Sequence, residues 1–528
     1  MTTEAADVLL EHGLIRTGWP GLPITDALAI SHGRILAYGN AARSLRGPKT
    51  IQLDLRGGLA LPGFTDAHIH LLSYGITLDE VNLTDVADYA EVERRLQERI
   101  ALTSPGTWIH GSGWNQDLWN GIQPSCHLLD RLSPVHPIAL TRKDGHSLWV
   151  NSLALAKADI QRETPDPAGG HIERSDDGSP TGILAETAMD RVTRLLPADD
   201  SDRFYQAVLR AMQRASAAGI TGIHDFEGPD ARAAFTRARE HDTLTLRVHM
   251  MIDLPTWRAG WPPAHHPRND DMLQTGHLKI FADGALGSRT AAMFEPYNGT
   301  PTNRGIVVTP REELQTLITA AAHQQIPCAI HAIGDYANHF VLDTFAATQS
   351  TWAPQALHPR IEHVQLLHPD DLHRLAQLGI TASMQPIHAT SDMLIAERFW
   401  GQRCASGYPW RTLLDHGTSL AFGSDSPVET LDVLQGLYAA VTRRSPSGFS
   451  LAGWHPEQCL SIEEAVAAYT YGAAQAVNRE HELGDLRPGK WADITILDRD
   501  ILSAPPQALL ETNVIATIVR GRTIYERS

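Results

Sequence analysis

Leu61-Pro-Gly-Phe-Thr-Asp-Ala-His-Ile-His70 is the stretch whose reading decides the fold. An apolar run meets a tight Pro-Gly turn, and two histidines one residue apart come after it. Along an extended strand, residues i and i+2 point to the same face, so His68 and His70 present two imidazoles together. Paired imidazoles at a strand end are ready ligands for a borderline metal such as zinc. The pair alone is a common pattern, and it also reads as two polar residues closing a strand. The rest of the chain decides between these readings.

Working outward, eight strand-like segments can be counted, at 59–70, 219–226, 246–252, 277–283, 326–333, 359–365, 380–385 and 419–425. Helix-compatible stretches such as 312–324 and 369–377 lie between most of them. Strands alternating with helices are the mark of a parallel sheet. Eight such units predict an α/β chain built on a (β/α)8 barrel, with its active site at the C-terminal ends of the strands. The span exceeds the ~250 residues usual for that barrel. Most of the excess falls after the first strand, which predicts a large insertion over about 72–215, folded over the barrel mouth.

The two ends of the chain look alike. Asp7-Val-Leu-Leu, Ala27-Leu-Ala-Ile, Arg34-Ile-Leu-Ala-Tyr and Thr50-Ile-Gln-Leu-Asp-Leu are short strands broken by Gly, Pro and Asn. Near the C-terminus, Trp491-Ala-Asp-Ile-Thr-Ile-Leu-Asp, Val514-Ile-Ala-Thr-Ile-Val-Arg and Thr523-Ile-Tyr-Glu repeat the pattern. Isolated hairpins are only marginally stable. Residues 1–58 and 480–528 are therefore expected to pair into one small β domain, with the catalytic body, 59–479, inserted between them. A helix over 462–477 opens on Ser461 with Glu464 three residues on, a capping-box pattern.

Composition narrows the function classes. The chain has 528 residues, 42% hydrophobic and 20% charged, enough for a sizeable core in an ordinary globular protein. A formal net charge of -17 argues against nucleic acid or an anionic membrane surface as partner. Cys126, Cys328, Cys404 and Cys459 lie far apart with no Cys-x-x-Cys, so reduced thiols in a cytoplasmic protein are expected rather than a disulfide framework. No signal peptide is read at the N-terminus, and no apolar run approaches the ~18 residues of a membrane span. Histidine, at 26 residues, is abundant, which invites a search for ligands.

That search collects the polar residues at the predicted strand ends. They are His68 and His70 on the first strand, Lys279 on the fourth, His331 on the fifth, His363 on the sixth and Asp425 on the eighth. A buried Lys, His or Asp is expensive unless paired or bound to a metal. Singly, each reads as a satisfied core or turn residue. Six such groups at the same end of one barrel point to a metal site.

These motifs resemble the amidohydrolase superfamily, in its amidohydrolase family 3 branch of N-substituted formamide deformylase-like proteins. The resemblance covers nearly the whole chain. It is carried by Pro62-Gly-Phe-Thr-Asp-Ala-His-Ile-His70, Lys279-Ile-Phe-Ala-Asp-Gly-Ala-Leu-Gly-Ser-Arg-Thr-Ala291, His331-Ala-Ile-Gly-Asp335 and Glu362-His-Val-Gln365. Met384-Gln-Pro-Ile-His388, Gly423-Ser-Asp-Ser-Pro427 and Leu486-Arg-Pro-Gly-Lys-Trp-Ala-Asp493 complete it. The resemblance implies a distorted TIM barrel with a composite β-sandwich from both termini. It further implies that His68 and His70 bind the more buried of two metals and that His331 and His363 bind the second. Lys279 would bridge them as a carbamate, with a plain structural lysine as the alternative. Asp425 would bind the buried metal and act as acid/base, with His363 or His331 assisting at the oxyanion. A divalent metal lowers the pKa of bound water from ~15.7 to about 7, supplying hydroxide to attack an amide-like carbonyl.

Residues around that set are open to two readings. Asp283 and Asp335 orient ligands or close turns. His224-Asp225 faces the site or closes a turn. In the insertion, Trp108-Ile-His-Gly-Ser-Gly-Trp-Asn-Gln-Asp-Leu-Trp119 and Lys143-Asp-Gly-His-Ser-Leu-Trp-Val-Asn151 suggest a wall for an apolar substrate. Trp108 and Trp149 are read as the insertion's own core. Trp114, His146 and Arg289 are expected at the substrate, Arg289 through a substrate carboxylate or, alternatively, in a salt bridge to Glu295.

The resulting expectation is a metal-dependent hydrolase of a carbon–nitrogen bond in a small amide-like molecule. A deaminase or an esterase/lactonase on the same scaffold is the alternative. A non-catalytic scaffold is disfavoured because all six ligand positions are filled. Zinc is the default metal, with manganese, iron or cobalt open, as are one ion or two and self-association into a homodimer.

Overall fold

The computed structural model describes residues 5–18, 21–83, 86–116, 119, 122–142, 147–196, 201–260, 270–446 and 453–527. The chain forms two compact units, one of Met1–Leu71 with Ala211–Ser528, the other of Leu72–Arg210.

The larger unit holds the barrel. Its strands are β1 (Phe64–Ile69), β2 (Ile220–Asp225), β3 (Arg247–Asp253), β4 (Leu273–Phe281), β5 (Cys328–Ala332), β6 (Arg360–His363), β7 (Thr381–Met384) and β8 (Leu420–Phe422). Each pairs in parallel with its neighbour in chain order. β5 to β8 are buried along their whole length, as strands covered on both faces must be. The ring closes just past β8. There the Asp425 N–H donates to the His68 carbonyl at 2.7 Å, and the His70 N–H donates to the Ser426 carbonyl at 2.9 Å. Gly423 permits this approach, since a Cβ there would stand 2.4 Å from the His68 nitrogen.

Helices cover the outside where apolar spacing directs them. Arg311–His323 buries Leu314, Leu317, Ile318, Ala321 and Ala322, a 3-4 spacing that makes one apolar stripe. Glu312 and Glu313 in its first turn and His323 in its last suit the helix dipole. The helix expected over 369–377 begins later: a 3-10 turn at Pro369–Asp371 precedes Arg374–Leu378. The capping box of Ser461 and Glu464 is formed. Its helix is interrupted by a π-helical turn at Ala468–Gly472.

Both chain ends contribute to one eight-stranded array beside the barrel. Val8–Arg16 is its pivot, pairing with Ile24–Ser31, Ile51–Asp54 and Leu59–Pro62. Leu59–Pro62 runs antiparallel to Ile494–Leu497, which joins the N-terminal strands to the C-terminal ones. Leu10, Ile30, Ile35, Ile494, Ile496 and Ile518 share the core of this domain. One expectation is corrected here: the strand over 59–70 is two strands in two sheets, Leu59–Pro62 and Phe64–Ile69, joined at Gly63. Any Cβ at Gly63 would meet Thr221 Oγ1 at 2.3 Å, so the chain crosses the barrel's rim where only glycine fits.

The smaller unit, Leu72–Arg210, lies within the insertion expected over about 72–215. It has a six-stranded mixed sheet ordered Gly170–Arg174, Pro180–Glu186, Ser147–Val150, Ile138–Arg142, Ile109–Trp114, Val81–Asn82. Its core is aromatic. Trp114, Trp119 and Trp149 pack with ring centroids 5.7–6.2 Å apart. Trp108 is half-buried against a second apolar cluster of the same unit. Among the described residues no helix is long and apolar enough to cross a membrane, and all four cysteines are free.

Candidate metal centre

The C-terminal ends of β1, β4, β5, β6 and the turn after β8 carry the six predicted ligands. Side-chain donor atoms of His68, His363 and Asp425 lie within 4.8 Å of one another. Asp425 Oδ1 is 3.5 Å from His68 Nε2 and 3.3 Å from His70 Nε2. The His331 ring lies 4.6 Å from that of His363, centroid to centroid. Lys279 Nζ rests 4.6 Å from the ring centres of both Phe226 and Phe281. Phe226 in turn stacks on His68 at 3.7 Å.

Backbone conformation at the two decisive positions departs from the strand. His363 (φ 75°) and Asp425 (φ 58°) are left-handed, a region that costs a side-chain-bearing residue energy and recurs at functional sites. The left-handed turn at His363 breaks the two-residue alternation of β6 and lets its ring face His68, 4.8 Å away.

His68, His363 and His331 each have one nitrogen tied outward. His68 Nδ1 is 2.7 Å from Glu362 Oε2, and His363 Nδ1 is 2.8 Å from Gln385 Oε1. His331 Nε2 donates to the Gly284 carbonyl at 3.0 Å. The acceptors fix the N–H on those nitrogens and leave the other lone pair for a cation. Burial pushes His68 down to about 4 and His331 to about 3, and holds His363 well below its usual value. All three rings are thus neutral near pH 7, the form that ligates metal. Burial would raise Asp425, but the imidazoles of His68, His388 and His70 around it outweigh burial and hold the carboxylate well below its usual range, so it stays ionised. Burial lowers Lys279 to about 8, against the charges of Glu362 and Asp425.

The flanking residues sort by contact. Asp283 accepts from the N–H groups of Ala292, Ile333 and Gly334 at 2.9–3.0 Å and lies 3.6 Å from His331 Nε2, so it both ties two loops and stands behind the His331 ring. Asp335 closes a turn, accepting from Phe294 and Tyr336. Asp225 likewise accepts from Leu71 and Glu227, whereas His224 accepts from Arg360 inside the barrel. Glu362, Gln385, His388 and Arg360 were not assigned roles from sequence. His388 Nε2 lies 3.4 Å from Asp425 Oδ2. The signal for Glu362 and Arg360 was present: two charges two residues apart on an otherwise buried strand need partners.

The expected substrate contacts fare differently. Trp114 is a core residue, 2% exposed, its indole N–H donating to the Leu140 carbonyl at 2.7 Å. An aromatic side chain among glycines gives no sign of which way it faces, and here it faces its own sheet. His146, with the Lys143–His146 part of its motif, lies outside the described residues. Arg289 is half-buried beside the Phe399 ring, and Glu295 pairs with Arg304 instead.

Residues 52–525 match the amidohydrolase family. The chain belongs to that family. This amidohydrolase is 34% identical over 537 residues to Protein LONG AFTER FAR-RED 3 of Arabidopsis thaliana, covering 98% of this chain and 92% of the relative. It is 28% identical over 546 residues to the N-substituted formamide deformylase of Arthrobacter pascens, covering 100% and 99%. An uncharacterized metal-dependent hydrolase from Pyrococcus furiosus superposes with a TM-score of 0.74 at 28% identity, over 94% of this chain and 100% of that one. The amidohydrolase is accordingly a hydrolase on a TIM-barrel scaffold.

Proposed function

We propose that this amidohydrolase hydrolyses a carbon–nitrogen bond in a small non-peptide amide with the help of a divalent metal. The observation that carries the reading is the ligand geometry. The neutral imidazoles of His68, His331 and His363 have their outer nitrogens anchored, and donor atoms of His68 and His363 lie within 4.8 Å of an ionised, left-handed Asp425. That donor set suits zinc, with manganese, iron or cobalt as alternatives. His68, His363 and Asp425 would hold the ion, with His70 beside Asp425. When bound, such an ion acidifies water and polarises a carbonyl.

The chain's own groups supply the rest. Asp425 is placed to take a proton from the attacking water and hand it to the leaving nitrogen. One of its oxygens faces His68 and His70, the other His388, so it stays oriented through both transfers. His363, anchored by Gln385 and neutral, acts as a ligand. A second ion would call on His331 and on Lys279. With its pKa near 8, the Lys279 amine is accessible in its neutral form, which adds carbon dioxide to give a carbamate and releases one proton. The whole-length similarity to a formamide deformylase supports the amide class over esters or deaminase substrates.

The test is a panel of N-formyl and N-acyl amides, with matched esters and aminopurines, assayed on wild type and Asp425→Asn. Turnover of an amide that is lost in the variant supports the proposal. Turnover confined to an ester or an amine-bearing ring would overturn the carbon–nitrogen assignment.

A further inference from the structure

We infer that Arg360 is a positioning residue for the metal centre: through Glu362 it fixes the His68 imidazole with Nε2 toward Asp425. The inference rests on the metal-centre reading above. Barrel interiors are normally filled by branched aliphatic side chains. Here β6 places Arg360 and Glu362, both fully buried, two residues apart on the inner side. A buried ion pair is costly, and an apolar pair of similar volume is often as stable or more so. Stability alone does not explain it.

The contacts do. Arg360 Nε donates to Glu362 Oε1 at 2.6 Å, and one terminal nitrogen donates to Glu362 Oε2 at 3.1 Å. That same nitrogen reaches the Ala67 carbonyl and Ser383 Oγ, each at 2.6 Å. The other terminal nitrogen donates to His224 Nδ1 at 2.8 Å. The guanidinium therefore grips β1, β2, β6 and β7 at once. Ala67 is the residue before His68, so Arg360 holds the ligand's backbone as well as the carboxylate behind its ring. The carboxylate accepts from His68 Nδ1, and Phe226 stacks on the ring face. A carboxylate can only accept, so the proton sits on Nδ1 and the Nε2 lone pair is left for the ion. Without the fork, Glu362 keeps only its bond to His68 and is free to turn.

The experiment measures zinc dissociation by chelator competition, beside thermal melting of the metal-free proteins. It compares wild type, Arg360→Lys and the double variant Arg360→Met/Glu362→Leu. Lysine keeps the charge but loses the planar fork. The double variant removes both buried charges but leaves the Ala67 carbonyl, Ser383 and His224 without the guanidinium, so it is expected to stay folded and to melt below wild type. Both should bind zinc roughly 10- to 100-fold more weakly, the range seen when a partner behind a metal-bound histidine is lost. A folded variant of either kind that binds zinc as tightly as wild type would overturn the inference. Should Arg360→Lys not fold, Arg360→Gln, which keeps Glu362 behind His68, decides. Wild type that binds no zinc, manganese, iron or cobalt would instead bring down the metal-centre reading itself.

Discussion

The end of β1 and the strand Ile109–Trp114 are comparable, each six residues long and closing on conspicuous side chains, histidine in one and tryptophan in the other. The structure uses them in opposite ways. At β1, His68 finds Glu362 behind it and Asp425 before it, and its ring joins a site. In the insertion, Trp114 turns to Trp119 and Trp149 and builds a core. The difference is energetic. A buried imidazole must be partnered, so its presence at a strand end constrains what surrounds it. A tryptophan is content in any apolar interior that takes its one N–H, so its presence constrains little.

The comparison can be broken most decisively at Asp425. Asp425→Asn should lower kcat on a responsive amide by roughly 10^2–10^4-fold, the range of a lost general acid–base. The metal-free melting point should change little, and steady-state kinetics with calorimetry would check both. The same comparison predicts the reverse for Trp114→Ala: a stability loss of about 3–5 kcal/mol, as for a large buried aromatic, with kcat/KM of the folded enzyme unchanged. Urea unfolding and kinetics on one preparation test it, and a raised KM without loss of stability would restore Trp114 to the substrate wall. Gly63→Ala, at the crossing between the two sheets, should cost about 1–3 kcal/mol because its methyl would overlap Thr221.

The smallest expected effect is on alkaline stability. Burial pushes the Cys328 thiol, on β5, up to about 12, and also raises Cys126 in the insertion. The folded state then holds the proton more tightly than the unfolded chain. The stability this contributes is intact below about pH 9, the ordinary thiol range, and is lost as the pH rises toward 12. Urea midpoints between pH 8 and 11 should fall for wild type and fall less for Cys328→Ala.

Much of the fold and the site was legible in the chain. Strands covered on both faces are continuous apolar runs between turn signals, so all eight barrel strands fell within a few residues of their expected places. Buried polar groups at strand ends announced themselves by their cost. What stayed hidden depends on long-range geometry. Glu362 meets His68 across 294 residues, which no local pattern encodes. The apolar run through Leu61 and Phe64 carries no polar break, so only Pro62-Gly63 marked the passage from one sheet to the other. His388 closes the Met384–His388 motif, but its approach to Asp425 needs the helix Pro386–Trp400 to start where it does.

The central claim is that the barrel end is a metal centre, and elemental analysis of purified protein tests it most directly. The account predicts about one equivalent of a divalent metal per chain, or about two with Lys279 carboxylated, and a loss of metal in His68→Ala. Protein that retains no divalent metal after preparation with zinc, manganese, iron or cobalt supplied would contradict it.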